Sequence, residues 1–337
     1  MKIVLYDSTQ GYLTPGGKTT HANKLYKELK LLGVDVHFSR WWDTSLKDCD
    51  LIHSLSYFDT SFINDAKAAG KKILLSHIMD VQTNKDKFNQ FLNRHSYKIA
   101  SKLPLFIRSR FAFDNFRKFD HFHYMHKFDR DTALNYFPWI AIKNTTIIPH
   151  AHDPEDMKAS SDFKYSGIFP KKFLISCGNV SSRKQSSLLA HYANTAKIPI
   201  VFIGGANPSD GYFSDFIAEI DGINTFYLGY VDDSLKDFLL KSACGFVLLS
   251  KGESGCIAVY EAAAYNLPLL LSNLPWAWAY EDPVNINFCD FTIPDIAVSQ
   301  LRDFYNNNNC KFIPPFRTRT WGEVAKMYIS CYEEILK

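Results

Sequence analysis

Glu253 and Glu261 are the residues here whose type and spacing best suit chemistry. They lie in Gly245-Phe-Val-Leu-Leu-Ser-Lys-Gly-Glu-Ser-Gly-Cys-Ile-Ala-Val-Tyr-Glu-Ala-Ala-Ala-Tyr-Asn-Leu-Pro-Leu-Leu-Leu-Ser272. Glu253 sits in a short polar loop. Glu261 sits about a turn and a half into the helix expected next, so it can look back toward that loop. Ser254 and Gly255 lead into the helix start, where unpaired N–H groups and a partial positive charge suit a phosphate. A phosphate flanked by carboxylates that accept hydroxyls describes a nucleotide sugar. Taken alone, the two carboxylates also fit a solvated loop residue and an ordinary helix-surface residue.

The elements that must position them can be read from the pattern around them. Gly245–Leu249 is an apolar run bounded by small residues, as in a buried strand. Cys256–Tyr265 is Ala-rich and helical, Asn266 and Pro268 stop it, and Leu269–Leu271 opens another buried strand. Strand, glycine-bearing loop, helix and strand make a βαβ unit. Its loop lies at the carboxyl end of a strand, where open α/β sheets bind ligands.

The passage Glu253-x7-Glu261, with Gly255 between the carboxylates, Glu-Ala at the second and Leu-Pro after the helix, resembles the signature of retaining GT-B glycosyltransferases of family four, the glycosyl transferases group 1. The resemblance implies two Rossmann-like α/β domains facing across a cleft, with a nucleotide-diphosphate sugar bound mainly to the second. It extends to other passages. Gly178-Asn-Val-Ser-Ser-Arg-Lys184 is similar to the family's Gly-Arg-x4-Lys, whose Arg and Lys hold the donor diphosphate. Gly178 and Lys184 match, whereas Asn179 stands at the Arg position. Arg183, next to Lys184, is the cation that could replace it. Thr225-Phe-Tyr-Leu-Gly-Tyr-Val-Asp-Asp233 resembles the family's Leu-Gly-x-Val loop, whose backbone near Val231 reads the base. The resemblance implies that Glu253 holds sugar hydroxyls, Glu261 the ribose, and Lys184 the diphosphate.

Toward the N-terminus, Lys2–Tyr6 is expected to be a strand. A loop, Gly11-Tyr-Leu-Thr-Pro-Gly-Gly-Lys-Thr-Thr20, follows it, and then a helix with Ala22, Leu25, Tyr26, Leu29 and Leu32 on one face. The loop nearly spells a phosphate-binding P-loop, but Tyr12 stands where the first glycine is required, so the register is off by one. Gly16 and Gly17 match the family's Gly-Gly pair near the diphosphate and acceptor. His77 follows the strand-like Lys72-Ile-Leu-Leu-Ser76. A histidine there can be structural, or, as the resemblance implies, border the donor sugar.

Residues 94–130 carry an excess of Arg and Lys, including Arg94, Lys98, Lys102, Arg108, Arg110, Arg117 and Lys118, interleaved with Phe106, Phe111, Phe113, Phe116, Phe119, Phe122 and Tyr124. Such a stretch suits an anionic membrane surface, an anionic acceptor or a single-stranded nucleic acid. It equally suits a solvated face over an aromatic core. In the family this region faces the acceptor, a glycan or lipid-linked molecule, and in several members it docks on membrane. Asp129-Arg-Asp131 is a literal Asp-x-Asp, but it lies outside the setting in which that motif holds a metal.

The chain has 337 residues, 46% hydrophobic and 22% charged, with a net charge of +3. That is enough chain for two domains, and too little charge to argue for nucleic acid. Seven cysteines are scattered singly without a Cys-x-x-Cys pair, which reads as reduced core thiols and not as a disulfide frame or zinc site. Met1–Asp7 does not read as a signal peptide, and no run reaches the roughly 18 uncharged apolar residues of a membrane span. The expectation is a cytoplasmic enzyme, with peripheral membrane contact through residues 94–130. Its domains are 1–155 on the acceptor side, 156–315 for the nucleotide sugar, and a helix over 316–337 returning to the first domain. It transfers a hexose with retention and needs neither a cofactor nor a metal. Two other readings stand beside it: a sugar-nucleotide epimerase on the same fold, and a catalytically inactive nucleotide-sugar-binding protein, which Asn179 favours.

Overall fold

A computed structural model describes residues 1–7, 16–40, 42–57, 60–108, 112–153, 170–280, 283–307 and 313–337. Residues 11–15 of the glycine loop, residues 154–169 around the expected domain boundary, Arg110 and Phe111 lie outside them. The chain divides into two compact units, Met1–His150 with Thr320–Lys337, and Ala151–Arg319.

The first unit is built on a parallel sheet of β1 (Lys2–Tyr6), β2 (Asp35–Phe38), β3 (Leu51–Ser54), β4 (Lys72–Ser76), β5 (His121–Tyr124) and β6 (Thr145–Ile147), in the order β2-β1-β3-β4-β5-β6. Successive residues of β1, β3 and β4 are buried on both faces. This is why these strands read as continuous apolar runs and not as alternation. Val4, Ile52, Ile73, Leu75 and Phe122 share one core with Phe113, Phe116, Phe119 and Phe137. The helix Trp321–Leu336 belongs to this unit and packs against the helix Gly17–Leu31. Its start follows from Thr-x-x-Glu: the Glu323 amide donates to Thr320 Oγ1 at 3.2 Å, and the Thr320 amide donates to Glu323 Oε2 at 2.8 Å.

β5 lies in the middle of the basic aromatic stretch. His121 donates or accepts at Thr146 Oγ1 (2.7 Å) and His123 meets Ile148 O (2.8 Å), so both imidazoles are satisfied inside the sheet layer. Phe113, Phe116, Phe119, Phe122 and Tyr124 are buried. Arg108 and Arg117 are not free surface cations, since both pair with Asp114, at 2.6 and 3.0 Å. Most of the aromatic half of this stretch is therefore core. Asp129 is fully buried, where it accepts from Thr83 Oγ1 at 2.7 Å, and Asp131 pairs with Arg130.

The second unit repeats the plan with β7 (Leu174–Cys177), β8 (Ile200–Ile203), β9 (Thr225–Tyr227), β10 (Gly245–Leu248), β11 (Leu269–Ser272) and β12 (Ile286–Cys289), all parallel, in the order β12-β11-β10-β7-β8-β9. The chain runs outward from β7 to β9, then returns to β10 and runs the other way. β10 and β7 pair through Gly245–Leu174 and Phe246–Ile175. The loops leaving these two strands are therefore neighbours at the switch point, the usual ligand crevice of an open α/β sheet. Among the described residues no helix is long and apolar enough to cross a membrane. The six described cysteines are buried free thiols.

Candidate functional site

β7 ends at Cys177, and Gly178 turns the chain at φ +142°. A side chain there would be strained by that dihedral, and its Cβ would meet Lys184 Cε at 3.2 Å. Gly178 therefore lets the lysine stem pass over the backbone. The turn is held from the next strand: the Gly178 amide donates to Ile203 O (2.9 Å) and the Val180 amide to Gly205 O (2.8 Å). Gly204 permits this close approach, because a Cβ on it would lie 2.2 Å from Gly178 O.

β10 delivers the second loop. Ser250 Oγ donates to Gly252 O at 3.1 Å, and Ser250 O accepts from Trp276 Nε1 at 3.1 Å. The two loops are stitched together by the Lys251 amide, which donates to Arg183 O (2.8 Å), and by Arg183 Nη1, which donates to Gly252 O (2.6 Å).

Charges meet at this seam. Glu253 Oε1 lies 2.6 Å from Arg183 Nη1 and 2.8 Å from Lys184 Nζ. Glu253 and Lys184 are nearly buried, and Arg183 is 43% exposed. Charge and close approach hold the cluster. Burial by itself would raise the Glu253 carboxyl, but the Lys184 and Arg183 charges outweigh it and keep it below its ordinary value. Burial likewise works against the Lys184 ammonium and is outweighed by Cys256 and Glu253, which raise it. Lys184 Nζ also reaches Cys256 Sγ at 3.4 Å. Glu253 is thus not a solvated loop residue. Cys256 ends the loop, and the helix Ile257–Ala264 begins with no side chain capping it, so its first-turn amides face the loop end as potential anion donors.

Glu261 lies on that helix and pairs with Lys236 at 3.0 Å, a residue that sequence reasoning passed over. Lys236 belongs to the helix Asp233–Ser242, directly after the Gly229–Val231 turn. Val231 packs against the core that holds Val259, Tyr260 and Ala262. Cys177 links the two clusters. Burial first pushes its thiol up, and it also feels Glu261, Lys236, Cys256 and Lys184. The structure thus brings Arg183, Lys184 and Glu253 together beside Gly178, with Ser254 and Gly255 following Glu253 in the same loop, and pairs Glu261 with Lys236 on the helix that follows Val231. Asn179 is exposed and brings no charge. Gly204, Lys236 and Trp276 were missed, although the Gly204-Gly205 pair ending an apolar strand was a usable signal.

His77, Gly16 and Gly17 belong to the first unit. His77 follows β4, is buried among Phe116, Phe137 and Tyr124, and meets Tyr124 OH at 3.2 Å. Burial lowers its pKa to about 3, so it is a neutral imidazole. Gly16 precedes the helix Gly17–Leu31 in extended conformation, and among the described residues nothing lies within 4 Å of where its Cβ would be. Among the described residues, no group of three or more His, Cys, Asp or Glu is placed to hold a metal ion.

Residues 161–279 match the family model of glycosyl transferases group 1. No curated protein matches the chain by sequence. Among solved structures, HepE from Anabaena, in complex with UDP and glucose, is similar at TM-score 0.66 and 13% identity, over 99% of this chain and 98% of that one. Sucrose-phosphate synthase from Thermosynechococcus elongatus is similar at TM-score 0.67 and 13% identity, over 99% of both chains. WaaG, a glycosyltransferase of lipopolysaccharide biosynthesis, is similar at TM-score 0.58 and 11% identity, over 99% of this chain and 98% of that one. Residues 161–279 thus resemble the glycosyl transferases group 1, and the chain shares the fold of these solved structures, the GT-B architecture.

Proposed function

We propose that the protein is a retaining, metal-independent glycosyltransferase that moves a hexose from a nucleotide-diphosphate sugar to a glycan or lipid-linked acceptor. The observation that carries this reading is the convergence of Arg183 and Lys184 on Glu253, beside the Gly178 turn at the sheet's switch point. Lys184, with Arg183 in place of the family's missing Arg, neutralises the leaving diphosphate as its charge grows. Such preorganised charge is usually the largest catalytic contribution. The amides at the start of the helix Ile257–Ala264 add to it. Glu253 holds sugar hydroxyls, with Ser254 and Gly255 shaping the loop. Glu261 holds the ribose and the Val231 turn the base. Within the first unit, a neutral His77 can accept or donate a hydrogen bond without adding charge. The UDP bound in HepE supports a uridine nucleotide as the first to try.

The test is incubation with a panel of nucleotide-diphosphate sugars in EDTA, following nucleoside diphosphate release and the anomer formed by NMR. Transfer or slow hydrolysis with retention supports the reading. Loss of all turnover in EDTA, restored by manganese, would remove metal independence. Binding without turnover would favour the inactive binding protein, the reading that Asn179 supports.

We further propose peripheral contact with an anionic membrane, on a surface shifted from residues 94–130 toward the helix that leads into them. The helix Lys87–Ala100 turns Tyr97 and Ala100 toward the core and leaves Phe88, Phe91, Leu92 and Ile99 exposed on its other side. Phe106 is exposed just beyond it, and Lys87, Arg94, Lys98 and Lys102 flank it. An apolar face beside basic residues has the chemistry of an interfacial helix. It would hold a cytoplasmic enzyme at the surface where lipid-linked acceptors reside.

A further inference from the structure

We infer that Lys236 is a positioning residue for nucleotide recognition: it fixes Glu261 on the ribose and couples that carboxylate to the turn that reads the base. The inference rests on the donor-site reading above, and it concerns a residue that neither the Glu-x7-Glu spacing nor the cation loop contains.

Three observations carry it. First, Lys236 Nζ lies 3.0 Å from Glu261 Oε1, with the Glu261 side chain only 14% exposed. A nearly buried carboxylate with one oxygen engaged by an ammonium has a fixed orientation, and its other oxygen remains the one suited to accept from a hydroxyl. Second, Lys236 also contacts Asp233 Oδ1 at 3.3 Å, one turn earlier in the same helix. Asp233 is 95% exposed, so that contact is weak and leaves Glu261 as the partner that holds the ammonium. Third, the helix carrying Lys236 starts at Asp233, two residues after Val231, and the Asp232 side chain caps it by accepting from the Leu235 amide at 2.8 Å. The path from base-reading turn to ribose carboxylate is therefore one capped helical turn and one ion pair. A second tie between the same two helices lies one turn along: Tyr265 OH donates to Asp237 Oδ1 at 2.7 Å. The Tyr265 amide also donates to Glu261 O (3.3 Å), but the hydroxyl tie does not involve the Glu261 carboxylate, so removing that hydroxyl offers an internal control.

An uncoupled Glu261 could rotate among rotamers and accept from water. Held by Lys236, it meets the ribose without first losing that freedom, which is preorganisation. Ribose recognition can be read as a ratio: the affinity for a ribonucleoside diphosphate over that for its 2′-deoxy and 3′-deoxy forms. Losing a hydrogen bond to a charged group corresponds to roughly a ten- to a hundredfold loss of affinity.

The experiment is calorimetric titration of the full chain with ADP, CDP, GDP and UDP. It is repeated with the deoxy forms of whichever binds, for wild type, Glu261→Ala, Lys236→Met, Lys236→Arg and Tyr265→Phe. Lys236→Met should bring the ribo-to-deoxy ratio down to about that of Glu261→Ala, and Lys236→Arg should restore part of it. Tyr265→Phe should lower the melting temperature with the ratio unchanged. A ratio in Lys236→Met equal to wild type, while Glu261→Ala abolishes it, overturns the positioning role alone. A ratio unaffected by Glu261→Ala, or no binding of any diphosphate, overturns the donor-site reading beneath it. A fall in the ratio for Tyr265→Phe equal to that for Lys236→Met would assign the effect to general helix packing and also overturn the inference.

Discussion

Lys184 Nζ and Glu253 Oε1 lie 2.8 Å apart, although 69 residues separate them in the chain. With Arg183 on the same oxygen, two cations share one carboxylate, so the cluster keeps a net positive charge. An arriving diphosphate meets that charge but also the Glu253 anion. Glu253→Gln should therefore bind UDP, or whichever diphosphate the chain prefers, more tightly than wild type while turnover falls, because the amide removes repulsion in the ground state and one sugar contact in the transition state. Weaker binding with unchanged kcat would take Glu253 away from the sugar.

Lys184 and Glu261 should separate in steady-state kinetics. Lys184 faces charge that grows as the glycosidic bond breaks, so Lys184→Ala should lower kcat by roughly 10²–10³-fold. Glu261→Ala removes a contact made equally in ground and transition states and should mainly raise donor KM. A loss in Arg183→Ala similar to that in Lys184→Ala places both on the diphosphate. Wild-type kcat in Lys184→Ala would mean that the phosphate site lies elsewhere.

Gly178→Ala should damage the site without touching a charge. The residue sits at φ +142°, and the new methyl would press on the Lys184 stem at 3.2 Å. A cost of about 1–3 kcal/mol is expected from the strained backbone. It should appear as a lower melting temperature together with weaker diphosphate binding. A variant as stable and as tight-binding as wild type would show that the turn can relax around a methyl group.

Acid should weaken the first unit in a defined window. His21 Nε2 meets Tyr328 OH (3.2 Å), which meets His123 Nδ1 (3.2 Å); Ser76 Oγ bridges His123 Nδ1 (2.9 Å) and His53 Nε2 (2.8 Å), and His53 Nδ1 meets Tyr332 OH (2.8 Å). Burial, above all, lowers these histidines: His123 to about 4, and His21 and His53 well below their ordinary value. His77 joins them at about 3. The folded chain thus holds them neutral, while the unfolded chain takes up protons below about pH 6.5. Their stabilisation is complete above that pH and is lost as pH falls toward 4 and below, at up to about 1.4 kcal/mol per pH unit for each histidine. Urea midpoints between pH 7.5 and 4.5 would show the slope. His53→Asn should reduce it relative to its own midpoint at pH 7.5, and a flat profile would mean that these imidazoles are not neutral.

Vesicle binding should follow the outward face of the helix Lys87–Ala100 and not the middle of the basic stretch. Phe88→Ser with Phe91→Ser should reduce sedimentation with phosphatidylglycerol vesicles at least about tenfold, given roughly 1.5–3 kcal/mol for each buried aromatic side chain. Arg117→Glu should instead lower stability, since Arg117 pairs with Asp114 and stacks 4.2 Å from the Trp139 ring centroid. Equal vesicle binding by the Phe88/Phe91 variant and wild type would leave this face without a lipid partner.

Within the second unit, the order of elements was legible in the sequence, because strand burial, glycine turns and helix stops are local signals. Gly245–Leu248, Ile257–Ala264 and Leu269–Ser272 fall where the apolar runs, Asn266 and Pro268 require. Glu253 and Glu261 were legible as a pair for the same reason, since one loop and one helix fix their spacing. What the sequence could not decide is which distant charges meet. Lys184 finds Glu253 only because β7 pairs with β10 at the switch point, and Lys236 finds Glu261 only because two helices pack on one core. Pairing between strands far apart in the chain leaves no periodic trace in either one. The basic aromatic stretch shows the same limit: Phe116 and Phe106 are alike as residues, and only packing buried one and left the other exposed.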